Sequence, residues 1–178
     1  MIINKSLGKL FALIFGLFVF AALSNTAQAV QSSFYGGINI GTGDVDFSGY
    51  EDSDTLSFYG GSQIGNQMAV EFGYTDLGEF DVSGFPDVSV DVSGFEFSLV
   101  GKMATSSSSE FFGRLGMYMW DVEFPFPYGE DSGTSVTFGF GMDINFTPKL
   151  GGRIAFQHYG DVSDADITNV SFGIFSSF

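Results

Sequence analysis

Cysteine is absent from this 178-residue chain, so no disulfide braces it as one braces many small exported domains. Basic residues are scarce: six Lys and Arg stand against 21 Asp and Glu. Polyanion recognition needs clustered Lys and Arg, so nucleic acid is not an expected partner. Also missing is any apolar run long enough for a spanning helix. The longest, Leu10 to Leu23, falls short of the roughly 20 residues such a helix requires. Helical periodicity is not found beyond it. One histidine, His158, is the whole supply of imidazole.

The short apolar run has an N-terminal logic of its own. Lys5 and Lys9 precede it, and Ala27-Gln28-Ala29 places small residues at a cleavage point. This is the pattern of a signal peptide over residues 1–29. Removing 29 of 178 residues leaves 149, the length of a single domain spanning 30–178. All 21 acids lie after Ala29 and two of the six bases before it, leaving four bases and a net charge near −17. Stability must come from a composition of 25 Gly and 23 Phe with 15% charged residues.

The mature part alternates with a period of two. Leu56, Phe58, Gly60 and Ile64 face Ser57, Tyr59, Gly61 and Gln63; Met68, Val70, Phe72 and Tyr74 face Ala69, Glu71, Gly73 and Thr75. Such alternation marks strands with two unlike faces. It recurs at Phe34 to Ile40, Phe95 to Lys102, Phe111 to Val122, Val136 to Phe146, Ile154 to Tyr159 and Val170 to Phe178, which makes eight strands. An even number of strands with one apolar and one polar row predicts an all-β fold: an eight-stranded antiparallel up-and-down transmembrane β-barrel. A soluble two-sheet sandwich also alternates, but long outward rows of Phe, Leu and Met favour the barrel.

Parity breaks once, because Val90 and Val92 are even-numbered while Phe95, Phe97 and Leu99 are odd. A bulge at Gly94, or a strand starting there, is the expected cause. Tight connections at Gly65 to Gln67, Met103 to Ser109 and Thr147 to Leu150 alternate with longer acidic ones at Asp46 to Ser53, Leu77 to Ser89, Phe124 to Gly133 and Asp161 to Asp166. Short turns lie on the periplasmic side of outer-membrane barrels, so the acidic set is expected outside.

The terminal stretch Ser171-Phe172-Gly173-Ile174-Phe175-Ser176-Ser177-Phe178 resembles the C-terminal signal by which outer-membrane barrels are recognised for assembly. Phe172, Gly173 and Phe178 carry that likeness. Met68 to Gly78 resembles a strand of the outer membrane protein A type of barrel, and Phe156-Gln157-His158-Tyr159-Gly160-Asp161 resembles the end of its seventh strand. The likeness spans the mature chain, without the peptidoglycan-binding domain that follows in that family. It implies a bacterial outer membrane location, with lipid, lipopolysaccharide and the barrel assembly machinery as partners.

Five charged residues, Glu71, Glu96, Arg114, Asp143 and Arg153, fall on the inward parity of consecutive strands at similar heights. Facing lipid at the midplane, an Arg would cost about 2–4 kcal/mol, so an interior ladder is expected, pairing Glu96 with Arg114, Arg114 with Asp143, and Asp143 with Arg153. Such a ladder fixes register or, rearranged, gates a narrow path. The barrel bore admits little more than side chains.

Seventeen of the 21 acids fall in the longer connections or at the strand ends flanking them. Carboxylates suit calcium or magnesium, but the EF-hand pattern is missing. A solvated acidic rim, with at most weak divalent cations, is expected. Trp120, Tyr74, Tyr50, Phe124, Phe126 and Tyr128 read as an interfacial girdle, with Phe111, Phe146 and Phe178 on the opposite side. His158 is the candidate acid or base, placed like the His of outer-membrane lipid A deacylases, which resemble this chain in size. Their Ser two residues later is here Gly160, so acyl transfer lacks its nucleophile. No cofactor and no catalytic residue are expected. A structural and surface-interaction role leads, with a gated channel as alternative and a lipid-modifying enzyme third.

Overall fold

The computed structural model describes residues 34–46, 49–64, 67–82, 85–124 and 129–178, with side chains omitted at 85–88. The expected signal peptide, Phe126 and Tyr128 lie outside the described residues. Eight strands follow in order: β1 Phe34–Val45, β2 Ser53–Gln63, β3 Met68–Val82, β4 Phe85–Ala104, β5 Ser109–Glu123, β6 Glu130–Asn145, β7 Leu150–Val162 and β8 Ala165–Ser177. Each pairs antiparallel with its neighbours and β1 closes on β8. Closure leaves no open edge along the barrel wall, the condition for a sheet in hydrocarbon, where water cannot satisfy backbone N–H and C=O groups.

Alternation places Ile38, Phe72, Phe97, Leu115, Phe138, Ile154 and Phe172 on the exposed outer face. Their partners on the same strands turn inward. At one end the strands are joined by tight turns. Thr105 and Ser106 donate their N–H groups to the Ser109 carbonyl, and Thr147 Oγ1 accepts from the Lys149 and Leu150 amides. This turn end is periplasmic in outer-membrane barrels.

The other end differs from the expected loops. Pairing continues to Val82 with Phe85, Glu123 with Glu130, and Val162 with Ala165. Apart from the 11-residue β2, the strands, up to 20 residues long, exceed the 9–11 that span a bilayer. Most of the residues assigned from sequence to acidic loops therefore belong to hairpins rising above the barrel.

The expected bulge at Gly94 is not there. β4 pairs without interruption from Asp91 with Glu123 to Ala104 with Glu110. The irregularity lies across from it, between Asp76 and Gly78 of β3. Val90 and Val92 break the outward parity because they point into the barrel, where both are buried. Apolar parity predicts the outward face, but at this end of the lumen apolar side chains face inward. The same correction applies to Trp120, buried inside with Nε1 donating to Ser135 Oγ at 2.7 Å, and to Tyr50 and Phe124, which pack on the same internal cluster. Tyr74 keeps its outward position against Phe95 at 5.2 Å. Phe111 and Phe146 are exposed near the turn end.

Candidate functional site: the filled lumen

Three layers of side chains fill the bore. Nearest the turn end, Tyr35, Tyr59, Ala69, Val100, Phe112, Ala155 and Phe175 form a buried cluster. Glycines on facing strands make the room: a methyl at Gly61 would strike the Tyr35 ring, and one at Gly141 the Phe112 ring. Within this aromatic layer lies Arg153, whose guanidinium carbon is 4.4 Å from the Tyr59 centroid and 4.5 Å from that of Phe112. Ring faces attract such a cation. Asp143 holds it by a two-pronged contact, Nε to Oδ1 at 2.7 Å and Nη2 to Oδ2 at 2.9 Å, and adjacent strands set this pair because Asp143 registers with Arg153.

Glu71 is the centre of the cluster. Its Oε1 accepts from Tyr35 Oη at 2.7 Å and from Arg153 Nη1 at 2.9 Å, and its Oε2 from Arg114 Nη2 at 2.7 Å. Strands β3, β5 and β7 are thereby tied across the lumen. Arg114 also donates to Gln157 Oε1 at 3.0 Å and stands 3.6 Å from Glu96. Gln157 Nε2 in turn donates to Glu96 Oε2 at 2.6 Å and Thr137 Oγ1 at 2.9 Å, and Ser98 donates to Glu96 Oε1.

All five ladder residues thus point inward, and two of the three expected pairs form, Glu96 with Arg114 and Asp143 with Arg153, while among the described residues Arg114 is paired with Glu71 in place of Asp143. Arg114 reaches Glu71 and Glu96, whereas Asp143 is held by Arg153 and, at 3.5 Å, by Lys102. Sequence reasoning paired only neighbouring strands, while long side chains in a narrow bore also meet across it. Lys102 and Gln157 were overlooked although both share the inward parity. Lys102 further stands 4.4 Å over the Tyr35 ring.

Above this network lies a small polar chamber of about 20 Å³, whose wall includes Asn39, Tyr59, Glu71, Glu96 and Arg114. Over the chamber, toward the hairpins, comes the third layer, the apolar cluster of Leu77, Phe80, Val90, Val92, Tyr118, Trp120, Val122, Tyr159, Val162 and Ile167.

Remaining candidates lie apart from the lumen. His158 is outside, its ring tilted against Phe138 at 4.8 Å between centroids, its Nε2 3.9 Å from Asp166 Oδ2, with Gly160 two residues on. At the C-terminus, Phe172 is exposed on the outer face and Phe178 donates its N–H to the Phe34 carbonyl at 3.0 Å. Gly173 packs against Asn39, where an added methyl would collide with the β1 backbone. Among the described residues no group of three or more His, Cys, Asp and Glu is arranged to hold a metal ion.

Solved structures of eight-stranded outer-membrane barrels share this architecture. Neisserial surface protein A superposes with a TM-score of 0.66 at 15% identity, covering 83% of this chain and 98% of its own. The N-terminal barrel domain of OprF from Pseudomonas aeruginosa gives 0.59 at 11% identity, covering 83% and 98%. Ail of Yersinia pestis, solved in complex with the heparin analogue sucrose octasulfate, gives 0.57 at 16%, covering 83% and 97%. A search of the curated proteins returns no match. The family model for the OmpA-like transmembrane domain matches residues 25–176, and with its closed barrel and inward charges the chain belongs to that family.

Proposed function

We propose that this barrel is a closed structural element of the outer membrane that presents acidic hairpins at the cell surface, and that it is not an enzyme. One observation carries the reading: the lumen holds two buried clusters with an ionic network between them. Between them lies a small polar chamber of about 20 Å³. Conductance of the refolded protein in a planar bilayer, after a heat-shift gel establishes folding, is the test. A folded and silent barrel is the expected result, and reproducible unitary steps would transfer the reading to a narrow gated channel. The polar chamber beside Glu96 and Arg114 is what favours that second reading.

The surface chemistry limits the partners. All six Lys and Arg lie before residue 10, at the turn end or inside the barrel, so the hairpins offer only carboxylates and His158. Ail was solved with a sulfated polyanion. This chain presents no Lys or Arg for one, and calorimetry with sucrose octasulfate is expected to give no heat of binding. Lipopolysaccharide phosphates would be met through divalent cations. Phe172, Gly173 and Phe178 serve as the assembly signal in this reading, so removing Phe178 should lower the membrane-inserted fraction while leaving synthesis unchanged. Hydrolysis at His158 is disfavoured because Gly160 supplies no nucleophile.

A further inference from the structure

The charge cluster is the conspicuous feature of the lumen, yet its surroundings do not make it the tightest barrier to an ion. Among the described residues three buried polar atoms, Asn39 Oδ1, Tyr59 Oη and Arg114 Nε, have no hydrogen-bond partner, and all three residues line the chamber. A water needs roughly 10–15 Å³ and two to four polar partners; the chamber has about 20 Å³ and offers both donors and acceptors. Water suits it better than an ion of either sign, because Arg114 repels cations and Glu71 with Glu96 repels anions. This level is wettable, and its carboxylates and guanidinium groups would replace part of an ion's hydration. Polar groups continue toward the turn end, since Arg153, Asp143 and Lys102 lie among the rings there.

Toward the hairpins that continuity stops. The outer layer contains no charged side chain, and its ten members are each at most 9% exposed. Tyr118 and Tyr159 meet as tilted rings, 4.7 Å between centroids and 57° between planes, and Tyr118 Oη is used up on the Thr75 carbonyl at 3.1 Å. Phe80 closes the opposite wall, reaching over Gly43. An ion entering such a layer loses hydration with no replacement, which costs far more than crossing a polar level, and apolar constrictions block conduction by excluding water.

We infer that the permeability barrier of this barrel is the outer apolar layer centred on Tyr118 and Tyr159, and that the ionic network beneath it borders a hydrated chamber and holds register. This inference rests on the closed-barrel reading.

The test compares three refolded proteins in planar bilayers, each checked by heat-shift gel. Wild type is expected to be silent, as is Glu71→Gln with Arg114→Met, which removes one charge of each sign with little change in bulk. Tyr118→Ala with Tyr159→Ala is expected to raise ion flux on the order of tenfold, equivalent to a barrier lowered by about 1.4 kcal/mol. Leu77→Ser with Val92→Ser provides a milder opening of the same layer should the double tyrosine variant not fold. Trp120, the sole tryptophan and part of this layer, gives a readout independent of the layer variants: acrylamide quenching should stay low in wild type and in the charge variant. A charge variant that conducts or exposes Trp120 overturns the inference while the closed-barrel reading survives. Folded layer variants that remain silent overturn it equally. Conduction by wild type would instead overturn the closed-barrel reading itself.

Discussion

At the level of single residues, Glu71 carries the largest responsibility. One carboxylate neutralises parts of two buried guanidinium groups and accepts from Tyr35, so its loss leaves both short of countercharge inside the barrel. Removing one partner of a buried pair costs about 3–5 kcal/mol. Glu71→Ala should lower unfolding stability by that amount in urea titrations followed by Trp120 fluorescence. Arg153→Lys should also be costly, by about 1–3 kcal/mol, because an ammonium cannot reproduce the fork that Asp143 accepts; the same titration checks it. Parity made the five charged residues legible as inward-facing, since each side chain's face follows from counting along a strand. The central role of Glu71 was not legible. It depends on how far side chains reach across the bore, which no count along one strand contains.

Among the elements, β3 shows how one backbone irregularity decides what fills the outer lumen. Gly78 has φ of +83°, a conformation that side chains resist, and an added methyl there would strike the Asp54 carbonyl. Asp76 Oδ1 accepts from the Gly78 amide at 3.0 Å, and Ser53 Oγ donates to the Leu77 carbonyl. Together they hold a register shift after which even-numbered Phe80 turns inward as odd-numbered Leu77 did before it. Gly78→Val should therefore cost about 1–3 kcal/mol as backbone strain and swing Phe80 away from its cluster, seen as a lower urea midpoint with increased acrylamide quenching of Trp120. The sequence announces a parity change in this hairpin but not its strand. Val90 and Val92 suggested a slip at Gly94, because an apolar row was equated with the lipid face. Above the lipid level the rule reverses: water lies outside and the apolar row turns in.

For the whole molecule, two populations of charge respond to solvent in opposite ways. The hairpin acids have few cations near them: Ser163 Oγ on Asp131 and the amide of Asp161 on Asp166 are neutral donors. Like charges on exposed hairpins repel over a Debye length, which is about 30 Å at 0.01 M salt and about 10 Å at 0.1 M, so self-repulsion opposes the folded state most at low salt. Sodium chloride should accordingly raise the heat-shift midpoint between those two concentrations. Magnesium at matched ionic strength should raise it no further if the rim is only screened, and further if carboxylates share the ion. The interior network is shielded by the barrel wall and screened much less. Measured at low and high salt, the stability lost in Glu71→Ala should therefore stay nearly constant while the wild-type midpoint moves. A penalty that shrank as salt rose would mean that ions reach Glu71 through the lumen, which a filled bore does not allow.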